Sequence, residues 1–114
     1  MANIVLFVQN FRLGTKISEK LTDLDHNVIF AGEGERFGLS KIDENTDLAI
    51  LDLDDSVFQT IAFISGLKKI NGSMKIAGYM KVIHKETYER LKASGCDIIL
   101  PRSSFVKNIP TLVS

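Results

Sequence analysis

The run LAILDLDD at residues 48–55 sets three acids, Asp52, Asp54 and Asp55, behind four apolar residues. A carboxylate in that position supports two chemistries. It can accept a phosphoryl group, or it can hold a hard divalent cation when further oxygen donors stand beside it. Asp52 and Asp54 with the amide of Asn10 would form such a donor set. The plainer alternative is a strand-end carboxylate bonded to loop amides. Asp54 and Asp55 would then precede a helix whose macrodipole favours acids.

The other chemistry-bearing residues are scattered. Arg102, in PRSSF, is placed to bind an anion or to pair with Asp52 across the strand ends, which would hold Asp52 ionised. His26 and His84 stand alone and far apart, in no metal-ligand spacing. Cys96 follows a helix-ending glycine and reads as a small buried residue, because no basic partner or helix N-terminus is evident to activate it. GEGERFG (residues 32–38) superficially suggests a phosphate loop. It does not fit G-x-G-x-x-G opening a helix, and it follows the second strand, not the first.

Composition narrows the class. The chain has 114 residues, 45% apolar and 25% charged, which suits one domain spanning 1–114 with one core. Lys+Arg and Asp+Glu each number 14, so no basic footprint for direct nucleic-acid binding is present. A single cysteine excludes an internal disulfide and suits a reducing cytoplasm. MANIVLFVQNF lacks a basic lead and reads as a strand, not a signal peptide. No run approaches the ~18 apolar residues of a membrane span. The expectation is a cytoplasmic protein with no membrane partner.

The acids are positioned by an alternation of apolar runs and helix-like segments. Residues 3–8 (NIVLFV), 26–32 (HNVIFAG), 46–53 (TDLAILDL), 74–80 (MKIAGYM) and 97–100 (DIIL) read as strands, the last closed by Pro101. Between Arg12 and Leu24, the residues Leu13, Ile17, Leu21 and Leu24 recur at helical spacing. Asn10 is a good cap for that helix. Residues 33–42 (EGERFGLSKI) are a short helix or an irregular loop. Ser56 and Gln59 have capping-box spacing, so a helix is predicted there with Val57, Ile61, Ile64 and Leu67 as its face. Asn71-Gly72 stops it. Lys85 to Ser94 is a charged helix ended by Gly95. The final stretch holds a short helix limited by Pro110. Strands apolar throughout imply a parallel sheet covered on both faces, hence an α/β doubly wound three-layer sandwich.

With these elements in order, the chain resembles the receiver domain of two-component response regulators. The resemblance rests on element order and size, on the aspartate ending the third strand, and on ASGCDIILPRSSF as the helix–glycine–strand–loop ending. It implies a flavodoxin-like fold with strand order 2-1-3-4-5 and functional groups outside the carboxyl ends of the strands. It also implies that Asp52 stands at the phosphoacceptor position. The family's acidic pair after the first strand falls here on Gln9 and Asn10, its Ser/Thr after the fourth strand on Met80, its lysine on Pro101 or Arg102, and its aromatic switch position on Ile99. An amide offers a cation no charge, and phosphoryl transfer needs charge neutralised at the transferring oxygens. The resemblance is therefore to degenerate members, or pseudo-receivers, which keep the fold as an interaction module.

The expected function is a stand-alone receiver-like signalling module, not an enzyme, acting through protein–protein contacts with an unidentified partner or as a homodimer. Phe105, Val106 and Ile109, spaced by three to four and joined by Tyr88, are the candidate interaction surface. Two alternatives stand beside it. One is a phosphorylatable receiver accepting phosphate on Asp52, which alone would need Mg²⁺. The other is a small-ligand binder using Gln9, Asn10, Asp54, Met80 and Arg102 around the strand-end crevice.

Overall fold

The computed structural model describes residues 1–8, 10–31, 39, 41–56 and 58–113. Five strands form one sheet: β1 (Asn3–Phe7), β2 (Asn27–Phe30), β3 (Leu48–Asp52), β4 (Lys75–Met80) and β5 (Ile98–Pro101). Their order is β2-β1-β3-β4-β5 and every pairing is parallel. This is the doubly wound order expected from the apolar runs. Parallel neighbours cannot be joined by tight turns, and among the described residues three of the crossovers are helices.

Those helices are α1 (Phe11–Asp23), α2 (Ile61–Ile70) and α3 (Lys85–Ser94). A helical ending follows, made of α4 (Arg102–Phe105), a 3₁₀ turn (Val106–Asn108) and α5 (Ile109–Leu112). Side chains alternate across each strand and build two cores. Val5, Phe7, Ala49, Leu51, Ile76 and Met80 face Phe63, Ile64 and Leu67 of α2 and Leu91 of α3. Ile4, Leu6, Leu48, Ile50, Ala77 and Tyr79 face Ile17 and Leu21 of α1 together with Phe105 and Ile109. Among the described residues, no helix is long and apolar enough to cross a membrane.

Three expectations need correction. The second helix starts at Ile61, not at Ser56. Thr60 is its N-cap and accepts the Phe63 N–H at 3.1 Å. Gln59 is not half of a capping box. Its side-chain amide donates to the Leu53 carbonyl at 2.9 Å, supplying a partner where the chain has just left the sheet. Pro110 does not break the ending, because it lies in the first turn of α5, where a missing N–H removes no helical hydrogen bond. Leu24 caps α1 and is exposed, and Gly14 joins Ile17 and Leu21 on the buried face. Val57 and most of the 33–42 segment lie outside the described residues.

One close approach fixes the centre of the sheet. A Cβ on Gly78 would lie 2.4 Å from Leu53 Cδ1 and 3.2 Å from the Leu51 carbonyl oxygen. Leu53 is completely buried, so it has nowhere to retreat. Gly66, inside α2, has nothing within 4 Å of its would-be Cβ. We therefore predict opposite outcomes for one added methyl group. Gly78→Ala should lower stability by about 1–3 kcal/mol through overpacking. Gly66→Ala should raise it by about 0.5–1 kcal/mol through helix propensity. Urea unfolding of both variants checks the pair.

Candidate functional site

Asp52 is the last residue of β3, a strand buried at every position. The residue is 7% exposed, and its Oδ1 accepts the Asp54 N–H at 3.0 Å. Burial is the main influence on the carboxyl group and raises its pKa above the ordinary aspartate range. The Asp54 N–H and the Arg102 charge pull the other way, and the charges of Asp54 and Asp55 add to the rise.

Asp54 is the organising acid of the edge. Its two oxygens accept the Lys81 N–H at 3.0 and 3.1 Å, tying the loop after β3 to the chain leaving β4. Arg102 Nη1 lies 3.9 Å from Asp54 Oδ2. The expected Arg102–Asp52 ion pair is thus replaced by Arg102–Asp54. The two side chains of the actual pair are about equally exposed, at 31% and 30%, and keep much of their hydration. Asp52 is turned into the face of the sheet. The helix-dipole account of Asp54 also falls, since α2 opens only at Ile61.

Register decides which β4 side chain joins Asp52. The Cα partner of Asp52 is Tyr79, and the partner of Met80 is Pro101. Met80 faces the α2/α3 core, so it does not belong to the strand-end site. Tyr79 lies on the Asp52 face, fully buried, with its ring centroid 5.1 Å from that of Phe105. Tyr79 is the site residue that sequence reasoning missed. Parity along KIAGYM would have found it, since a slip of one residue moves a side chain to the other face. Its hydroxyl makes no well-formed hydrogen bond with any described residue. Burial first, then the Asp52 charge, hold the phenol protonated.

The remaining candidates divide. Asn10 caps α1 by accepting the Leu13 N–H at 3.0 Å. Gln9 lies outside the described residues. Ile99 is buried against the α2/α3 core. Phe105 and Ile109 are completely buried and offer no surface, because the helical ending uses them to cover the sheet. Val106 and Tyr88 are half-buried, and Lys92 Nζ stands 5.9 Å from the centre of the Tyr88 ring. Cys96 is buried, with its thiol pushed up to about 11 mainly by that burial. His26 Nδ1 accepts the Ala2 N–H at 2.9 Å, a structural role. His84 occupies the N-cap position of α3.

Two of the three donors that could hold a hard divalent cation already have partners. The Asn10 side-chain oxygen is engaged with Leu13, and both Asp54 oxygens with Lys81. The Arg102 guanidinium beside Asp54 would repel a second positive charge. Among the described residues, no three His, Cys, Asp or Glu side chains gather as a metal site.

The sequence matches no protein-family model and none of the curated proteins. Solved structures do share its fold. A response regulator from Thermotoga maritima superposes with a TM-score of 0.77 at 12% identity, over 99% of this chain and 98% of that one. Vibrio cholerae chemotaxis protein CheY4 gives 0.78 at 18% identity, over 97% and 98%. A CheY-like protein, tadZ, from Pseudomonas aeruginosa gives 0.79 at 13% identity, over 99% and 97%. At such identities the likeness speaks for architecture.

Two predictions follow from the buried carboxyl group and its tyrosine neighbour. A raised folded-state pKa means that folded Asp52 holds its proton more tightly than unfolded Asp52. Stability is therefore gained as pH falls through that value, and the ionised form is a burden at neutral pH. Asp52→Asn, which keeps an oxygen for the Asp54 N–H, should raise the urea midpoint at pH 7. The gain should shrink as pH falls toward the ordinary aspartate range. Tyr79→Phe removes a hydroxyl without a well-formed bond and should change stability by no more than about 1 kcal/mol. A larger loss would show that the hydroxyl bonds Asp52 in solution.

Proposed function

We propose that the protein is a cytoplasmic, receiver-like signalling module that works by protein–protein contact and has no competent phosphotransfer chemistry. The observation that carries this reading is the donor set around Asp52. The carboxylate sits buried at the end of β3, and its nearest acid is already bound to Lys81 N–H and paired with Arg102. Phosphoryl transfer to a carboxylate depends on positive charge, normally a metal ion, held against the transferring oxygens. Among the described residues the guanidinium of Arg102 is in contact with Asp54, and it reaches Asp52 only as a longer-range charge.

Exposed apolar side chains support the contact half of the reading. Phe11 opens α1 immediately after β1, Ile61 opens α2, and Val82 and Ile83 follow β4. All four are exposed, and in a parallel sheet these junctions stand at the carboxyl edge. Apolar side chains gathered on one edge are the usual mark of a contact surface. That fold neighbours include a response regulator and a chemotaxis protein supports a signalling role.

The deciding experiment is backbone amide NMR with millimolar Mg²⁺ and beryllofluoride, a phosphoryl analogue. The expected result is an unchanged spectrum around residues 52–54 and Lys81. Shifts clustered there, and absent from Asp52→Asn, would instead make Asp52 a working phosphoacceptor and overturn the proposal.

A further inference from the structure

The charge of this protein sums to zero, with 14 basic and 14 acidic side chains. It is not evenly spread. A groove of about 510 Å³ runs between α1 and the turn at Arg102, lined by Leu13, Lys16, Lys81, Arg102, Ser103 and Val106. A second hollow of about 290 Å³ shares Leu13, Lys16 and Arg102 with it and adds Asn10 and Arg12. The two are therefore one continuous depression with four cations on its walls. No acid is among the lining residues of either part.

Asp54 anchors the main chain at Lys81, whose backbone N–H it accepts with both oxygens, and lies 3.9 Å from the Arg102 guanidinium. The Lys81 ammonium itself is left free to reach an occupant. Between the cations the lining is apolar. Leu13 and Val106 are half-buried, their bodies packed on the core below.

We infer that this groove docks an acidic peptide segment of a partner protein, one that carries leucine-like side chains among its carboxylates. The inference rests on the interaction-module reading and names the partner's chemistry. Size favours a peptide over a single inorganic ion, because the volume is of the order that holds a drug-sized ligand. Charge selects an anionic occupant, and the Leu13–Val106 floor selects one with apolar side chains. Complementary charge would set the encounter rate and suppress wrong partners, and the apolar contacts would add affinity.

The test uses the whole chain and a fluorescein-labelled peptide of alternating glutamate and leucine. A lysine–leucine peptide and inorganic tripolyphosphate serve as comparison probes. Binding is followed by anisotropy and mapped by amide NMR. The acidic peptide should saturate, with shifts concentrated at Leu13, Lys16, Ser103 and Val106, and its affinity should fall as salt is raised. Lys16→Glu/Lys81→Glu should weaken it by about tenfold or more. Lys69→Glu, an exposed lysine at the far end of α2, should not. All three variant positions are exposed, and near-identical amide spectra outside the groove would confirm that each variant folds.

Equal weakening by Lys69→Glu would overturn the inference as non-specific charge attraction. Saturable tripolyphosphate binding in the groove without peptide binding would also overturn it, in favour of a small phosphorylated ligand. Peptide failure with an unchanged beryllofluoride spectrum would sink this inference alone. A beryllofluoride response at Asp52 would sink the interaction-module reading beneath it.

Discussion

The arrangement of the carboxyl edge depends on β3 being buried along its whole length. Leu48, Ala49, Ile50 and Leu51 have neighbours on both faces and on both sides in the sheet, and Asp52 inherits that position. A strand so enclosed must end in a residue that is still largely dry. The Asp52 carboxylate is then stabilised by the Asp54 N–H and by the Arg102 charge. Burial and the charges of Asp54 and Asp55 work against it. Desolvation thus outweighs the hydrogen bond, and the group is held toward its neutral form. A nucleophilic carboxylate needs the reverse balance.

Charge on this edge is organised one step away from Asp52. Asp54 lies on the loop and not on the strand, so its carboxylate reaches both the Lys81 amide and the Arg102 guanidinium while remaining partly hydrated. An exposed pair of this kind adds little stability. Its consequence is positional, because Asp54 ties the loop after β3 to the chain leaving β4 and holds Arg102 beside that loop. One acid thereby satisfies a strand-end amide and gives Arg102 a counter-charge.

The helical ending shows how packing removes apparent surface. Phe105 and Ile109 have the spacing of an exposed apolar stripe, yet both are sealed against Tyr79 and the β1–β3 face. Without them that side of the sheet would lack cover beyond α1. The residues left for contact are therefore the less patterned ones. Val106 lies at the boundary of the core, and Phe11, Ile61, Val82 and Ile83 lie at element junctions. Periodicity marks what a helix buries. Contact surface tends to appear where periodicity stops.

The sequence by itself determined the architecture. Five apolar runs with amphipathic segments between them admit few arrangements, because each helix must bury a stripe and parallel strands must be covered twice. Ile17 and Leu21, Ile64 and Leu67, and the stop at Asn71 were legible because they depend on local period and capping. The edge was legible only in part. Asp52 ends an unmistakable strand, and Asn10 acts as the cap its chemistry suggests. The tertiary structure alone decided three matters. Tyr79 and not Met80 accompanies Asp52, since register is set by the paired ladder and a count from the strand end can slip by one. Thr60 and not Ser56 caps α2, and the Gln59 amide bonds the Leu53 carbonyl instead of completing a capping box. Arg102 meets Asp54 and not Asp52, because burial separates two acids that the sequence writes two residues apart. Local chemistry is written in residue types, but which groups share a dry space is a property of the packed chain.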